Sequence, residues 1–280
     1  MINIKNLCFD YDQDSKQNIL DNINLEIKSG ELIAVMGSNG SGKSTFARLL
    51  NYLLEKKSGI IITDNLDYDD HKNIYKIRTK VGMVFQNPDN QIVSDIICED
   101  VAFGPENLNL SEKEINTRVE DALKMVDMLE YKNTLVSDLS GGQKQKIAIA
   151  GILAMNPDYV IFDESTSMIS NKSEILKQIF DLNKIYHKTI IFITHDIEEA
   201  IRFDRIIILD KSKIICDDTP ENIFYNANKQ TQDLILEANL DLPFSIKFIN
   251  ELQKFEIEIK NTLDIDKLSD LIIEETKLLD

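Results

Sequence analysis

Residues 37–45 read GSNGSGKST and stand between the apolar run ELIAVM (31–36) and the run FARLLNYLL (46–54). Gly37, Gly40 and Gly42 leave backbone N–H groups uncovered, so a loop of this composition can wrap an anion with no side chain in the way. The pattern fits G-x-x-x-x-G-K-[ST]: Lys43 is placed to reach the outer phosphates of a nucleotide and Ser44 to ligate Mg²⁺, while the following helix directs its positive N-terminus at the charge. A glycine-rich turn carrying a solvated lysine is the bland alternative, but the flanking strand and helix are the context the motif requires. The use of the nucleotide stays open at this point, because phosphate cradles of this kind serve motors, kinases, switches and pumps alike.

Composition narrows the field. A chain of 280 residues with 43% apolar content can bury one large core and a smaller appendage. Its 31 basic residues against 48 acidic ones give a net charge of −17, which opposes binding to nucleic acid or to an anionic lipid surface. The N-terminal MINIKNLCFDY alternates apolar and polar residues like an edge strand and lacks the apolar core of a signal peptide. With no apolar run near the roughly 20 residues that span a bilayer, the expectation is a cytosolic chain with no direct membrane span. Cys8, Cys98 and Cys216 are far apart and form no C-x-x-C pair, which favours free thiols over a disulfide or zinc framework.

The segments NINLEI, ELIAVM, VGMVFQ, YVIFDE, TIIFITH and RIIILD read as strands, several as the continuous apolar runs of a sheet covered on both faces, so the core is α/β. In SEKEINTRVEDALKMVDML, Ile115, Val119, Leu123 and Val126 recur at helical spacing behind a predicted capping box of Ser111 with Glu114. From about Pro220 onward glycines disappear and helical stretches such as TQDLILEANL follow one another, predicting a C-terminal helical appendage.

YVIFDE ends in Asp163 and Glu164. If that strand lies beside the one leading into Gly37, Asp163 reaches the Mg²⁺ held by Ser44, and Glu164 stands one residue further out, able to orient an attacking water. Read alone this is an apolar strand leaving into an acidic turn. TIIFIT leads into His195, where a ring nitrogen can bond a phosphate oxygen or the water, or can simply face solvent as expected for His71 and His187. Gln86, closing VGMVFQ, is ambiguous in the same way. Three strands ending in chemistry at one edge is the ligand-binding geometry of an open parallel sheet.

In LSGGQKQKIAIAGILAM (139–155), Ser140, Gly141 and Gly142 stand at the mouth of a long apolar helix, a second anion site of the helix N-terminus type. In isolation a plain Ser N-cap would explain them. If two copies of such a chain pack head to tail, however, this segment of each caps the nucleotide held by the other.

The order of GSNGSGKST, Gln86, LSGGQ, YVIFDE and ITHD resembles the ATPase cassette of ABC transporters, and VGMVFQNPDNQIVSDIICEDVAFGPENLNLS is similar to the region after the corresponding glutamine in the ATP-binding subunits of energy-coupling-factor transporters, importers of vitamins and transition-metal ions. DTPENIF and NLDLPFSIKFINEL extend the likeness nearly end to end. The resemblance implies a P-loop NTPase of the ABC type, with a RecA-like core, an antiparallel β subdomain, a helical signature subdomain and the C-terminal appendage. The nucleotide-binding domain spans 1–220, its helical subdomain about 88–155, and 221–280 is the appendage, related to dimerisation.

By the same resemblance the chain hydrolyses ATP with Mg²⁺ and drives transport. Tyr11 stacks on adenine; Gly37, Ser38, Asn39, Gly40, Ser41, Gly42, Lys43 and Ser44 bind the phosphates, with Thr45 beside them; Ser140, Gly141, Gly142 and Gln143 form the signature. Ser44, Gln86 and Asp163 serve the metal, Gln86 senses the γ-phosphate, Glu164 is the general base and His195 the switch histidine. The implied partners are a second ATPase subunit, a transmembrane T subunit met through the surface around Asn90, Gln91 and Phe103, and a substrate-binding membrane S subunit, with this chain peripheral at the cytoplasmic face of the membrane. The alternatives are an ABC ATPase of another transporter class, or one acting on nucleic acid or ribosomes, which the missing insertion and the acidic balance disfavour.

The sequence departs from the family pattern at Ser170 and Asn171, the last two positions of a loop that leucine, aspartate and proline usually close, and at Lys146, where arginine is usual. Lysine keeps the charge and loses the planar fork. The aspartate that normally crosses the dimer interface is absent, so the expected partner is a heterodimeric one that retains it, with a homodimer as the alternative.

Overall fold

The computed structural model describes residues 1–12, 18–166, 172–226, 229–238, 240–255, 257 and 259–278; Ser170 and Asn171 lie outside the described residues. In chain order the elements are β1 (Ile2–Phe9), β2 (Leu20–Ile27), β3 (Leu32–Gly37), α1 (Lys43–Leu50), β4 (Ser58–Thr63), β5 (Leu66–Asp67), α2 (Ile74–Lys80), β6 (Val81–Val84), α3 (Ile97–Asn107), α4 (Glu112–Met125), α5 (Gly141–Ala154), β7 (Tyr159–Asp163), α6 (Lys172–Lys184), β8 (Thr189–Ile193), α7 (Ile197–Ala200), β9 (Arg205–Asp210), β10 (Lys213–Asp218), α8 (Pro220–Phe224), α9 (Lys229–Glu237), α10 (Phe244–Gln253) and α11 (Ile265–Leu278). The chain divides into two compact units, Met1–Leu32 with Ser44–Ile193, and Ile33–Lys43 with Thr194–Asp280.

The first unit holds an antiparallel sheet in the order β2-β1-β4-β5 and a parallel run of β6, β7 and β8. Every residue of β6, β7 and β8 is buried, which is why these strands read as unbroken apolar runs rather than alternating ones. The register pairs Val84 with Phe162 and Asp163 with Ile193. The three strands therefore end level, and the residues after them leave from one edge.

Helices α3, α4 and α5 pack on one another. Val119 and Leu123 are buried along α4 and Val126 just past its end, while Ile115, the first of the four apolar positions, is only half-buried. The Ser111 hydroxyl accepts from Glu114 N at 3.3 Å. The Glu114 carboxylate turns forward to Arg118 at 2.9 Å instead of back to the cap, because an opposite charge one turn ahead competes with the reciprocal capping bond. A complete capping box is formed instead at Ser140 and Gln143.

In the second unit β3 runs parallel to β9, and β10 returns antiparallel to β9. Gly37 pairs with Leu209 at the end of β3. A Cβ there would lie 2.0 Å from the Leu209 carbonyl oxygen, and its φ of +152° is one L side chains rarely adopt, so the first glycine of the loop is required by both backbone and space. Toward the C-terminus Ile249, Ile259 and Leu268 form a small separate core.

Candidate functional site

In the first unit Ser44 immediately follows Lys43 in α1. Its hydroxyl donates to Asp163 Oδ1 at 2.9 Å, and Asp163 is almost fully buried. Glu164 sits in the left-handed region with φ +49°, a conformation uncommon outside glycine and held here by its N–H on the Ile193 carbonyl at 3.0 Å. That twist turns the side chain toward Gln86, whose Nε2 donates to Glu164 Oε2 at 3.1 Å. Two hydrogen bonds thus join α1, the end of β7 and the segment after β6 around one pair of carboxylates.

The Tyr11 hydroxyl lies 3.2 Å from Thr45 Oγ1. Its ring meets Phe9 edge-on at 5.0 Å and remains more than half exposed, so a face is open for a planar ligand. At the start of α5, Ser140 N donates to Gln143 Oε1 at 3.0 Å, and Gln143 N donates to Ser140 Oγ at 3.4 Å. A Cβ on Gly141 would meet nothing within 4 Å. This helix mouth is open, and its capping hydroxyl is engaged by its own turn. Lys146 pairs with Glu174 of α6, a role for which a point charge suffices.

In the second unit Lys43 is buried and donates from Nζ to the carbonyls of Gly37 at 2.9 Å and Ser38 at 3.0 Å, so its ammonium folds back over the loop. Ser41 is 4% exposed, and its Oγ has no hydrogen-bond partner among the described residues. Asn39 and Gly40 are exposed at the loop tip. His195 is exposed in the turn that opens α7. That turn is fixed by the Thr194 hydroxyl, which donates to Glu199 Oε2 at 2.6 Å and accepts from Asp196 N at 3.0 Å.

Sequence reasoning missed Asp210, which accepts from the Ser38 hydroxyl at 3.0 Å. The signal was present, since RIIILD closes an apolar strand with a carboxylate just as YVIFD does. Gln91 also differs from expectation. Its carboxamide turns inward, accepting from Phe85 N at 3.0 Å and donating to the Ala148 carbonyl at 2.6 Å, while Phe103 and Val93 stay exposed.

Among the described residues no group of three or more His, Cys, Asp and Glu is gathered that could hold a metal ion. The Ser44 hydroxyl and Asp163 carboxylate are hard oxygen donors side by side, the incomplete set typical of Mg²⁺ that completes its shell with phosphate oxygens and water. The orphaned Ser41 hydroxyl and the uncovered loop amides fit a bound phosphate chain.

The ABC transporter family matches residues 20–167, just over half of the chain. The energy-coupling factor transporter ATP-binding protein EcfA1 of Clostridium novyi (strain NT) is 46% identical over 96% of this chain and 96% of its own length. That of Ligilactobacillus salivarius (strain UCC118) is 47% identical over 93% and 91%. The chain belongs to the ABC transporter family, among its energy-coupling factor transporter ATP-binding proteins. As such an ABC cassette it binds and hydrolyses ATP in the service of transport.

Solved structures agree on the fold. CbiO1 from Clostridium perfringens, described as part of the ABC transporter complex cbiONQ, superposes with a TM-score of 0.75 at 36% identity, covering 89% of this chain and 98% of that one. The ATP-binding cassette MJ0796, as a post-hydrolysis dimer bound to ADP and phosphate, superposes with a TM-score of 0.70 at 32% identity, covering 79% and 99%.

Proposed function

We propose that this chain is the ATPase of an importer for a vitamin or a transition-metal ion, seated on the cytoplasmic face of the membrane against a T subunit and working with a substrate-binding S subunit. Among the described residues no helix is long and apolar enough to cross a membrane. Tyr11 stacks on the adenine. The amides of residues 37–43 and the Lys43 ammonium hold the phosphates, with Ser38, Asn39 and Ser41 lining the loop and Thr45 behind it. Ser44, Gln86 and Asp163 would hold the metal, and Mg²⁺ bound there would supply charge neutralisation for the phosphoryl oxygens. Glu164 takes a proton from the attacking water, Gln86 reports the γ-phosphate, and His195 bonds the departing oxygens. Ser140, Gly141, Gly142 and Gln143 cap the nucleotide of a second cassette packed head to tail, a related chain that keeps the aspartate missing at Ser170.

The observation that carries this reading is the Gln86–Glu164 contact at 3.1 Å beside the Ser44–Asp163 contact at 2.9 Å, which gathers a water-activating carboxylate and a metal-facing one. ATPase activity of this chain measured while the partner cassette is titrated in tests the shared site. The rate per subunit is expected to rise with partner concentration as signature meets loop. A flat rate, with the two-cassette complex confirmed by light scattering, would contradict it.

A further inference from the structure

β6 ends at Val84, so the main-chain groups of Phe85, the residue before Gln86, lie beyond that strand. Both are taken up by carboxamides. Phe85 N donates to Gln91 Oε1 at 3.0 Å, and the Phe85 carbonyl accepts from Gln145 Nε2 at 3.3 Å. Gln145 is 1% exposed within α5, and Gln91 closes the loop by donating to the carbonyl of Ala148 on the same helix at 2.6 Å. A more exposed ion pair, Lys144 with Asp89 at 2.8 Å, adds a weaker tie between the same two segments. The two peptide groups that flank the Phe85 Cα are thus each held, one by Gln145 of α5 directly and one by Gln91, which is itself tied to α5, the helix that carries Ser140 at its mouth. The next residue along, Gln86, reaches Glu164.

We propose that Gln145 and Gln91 are positioning residues: they fix the Phe85 peptide so that Gln86 is aimed at Glu164, and they make the orientation of α5 and the placement of Gln86 one variable. A carboxamide is required because each bridge needs its particular donor or acceptor. A carboxylate at 91 would keep the bond to Phe85 N and lose the one to Ala148, turning a donor into a repelled acceptor. The inference rests on the roles given to Gln86 and Glu164 above.

The test is a double-mutant cycle in the assembled transporter, with ATPase kcat and KM, nucleotide affinity and thermal melting read for Gln145→Met and Gln91→Glu, each in the parent and in Gln86→Ala. In the parent each variant is expected to lower kcat by roughly tenfold, as misplacement of a reacting group does, with KM for ATP and the melting temperature nearly unchanged. In Gln86→Ala the same changes are expected to cost less than about twofold, since the aim they set no longer matters. Equal losses in both backgrounds, or no loss in the parent, would overturn the proposal. A normal kcat in Gln86→Ala alone would overturn the reading of the site and the proposal with it. Should Gln145→Met fail to fold, Gln91→Glu still decides the matter, because this half-buried residue lies on a loop.

Discussion

The Ser44 hydroxyl donates to Asp163 Oδ1 at 2.9 Å, joining the first turn of α1 to the last residue of β7. A serine that bonds a carboxylate in this way sets two oxygens side by side, and a divalent cation held there, as proposed, would depend on both. Asp163→Asn removes the negative charge and puts an amide donor where a metal-facing oxygen stood. It is expected to raise the Mg²⁺ concentration for half-maximal hydrolysis by roughly tenfold or more, the ordinary scale for a lost partner at a metal site, while metal-free nucleotide binding stays close to the parent. A Mg²⁺ titration of ATPase activity reads this directly.

Gly37, at the end of β3, and Gly141, at the start of α5, have opposite tolerances. Gly37→Ala places a methyl group 2.0 Å from the Leu209 carbonyl oxygen and is expected to destabilise the fold by about 1–3 kcal/mol or more, as overpacking does. Gly141→Ala meets nothing within 4 Å and lies in a helix, so its melting temperature is expected to match or exceed the parent's. Its ATPase activity should nevertheless fall if the open mouth of α5 receives a nucleotide. Thermal melts and rates of the two variants separate packing from function.

Asp100 supplies a pH signature. It is 8% exposed and accepts from Val93 N at 2.7 Å and Ser94 N at 3.2 Å, yet burial outweighs these bonds and raises its carboxyl above the ordinary value. The folded state therefore holds its proton to higher pH than the unfolded chain does. Asp100 contributes stability below the ordinary carboxylate value, and that contribution is lost as pH rises through the raised one. Asp100→Asn keeps an acceptor for the two amides and cannot ionise. Relative to the parent it is expected to gain stability as pH climbs from 4 to 7, and urea melts at the two pH values would show a difference that widens with pH.

The parts of the fold legible in the sequence are those fixed by short-range rules. ELIAVM, VGMVFQ, YVIFDE, TIIFITH and RIIILD each became a strand because unbroken apolar runs of that length bury on both faces, and the loop at 37–43 follows from its glycines. Asp163 and Glu164 were legible as the carboxylates closing an apolar strand, and the structure sets Asp163 against the Ser44 hydroxyl. What sequence could not give was direction. Glu164 turns toward Gln86 only because its φ is +49°, Gln91 turns inward to Phe85 and Ala148, and Glu114 chooses Arg118 over its cap. Each of these is a competition between two allowed local partners, decided by what the packed neighbours leave in reach. Asp210 was passed over for a related reason: a carboxylate closing a strand has meaning only through the residue it meets, here Ser38.

The central claim is that Glu164 activates the water while the loop, Lys43 and the metal-facing residues bind the nucleotide. Glu164→Gln separates these functions, because the amide preserves shape and the contact with Gln86 but cannot take a proton. The decisive measurement is ATP affinity and ATP turnover of Glu164→Gln in the assembled transporter. The account predicts affinity close to the parent's, with turnover lower by roughly a hundredfold or more, the scale of a lost general base. Turnover close to the parent's would contradict it.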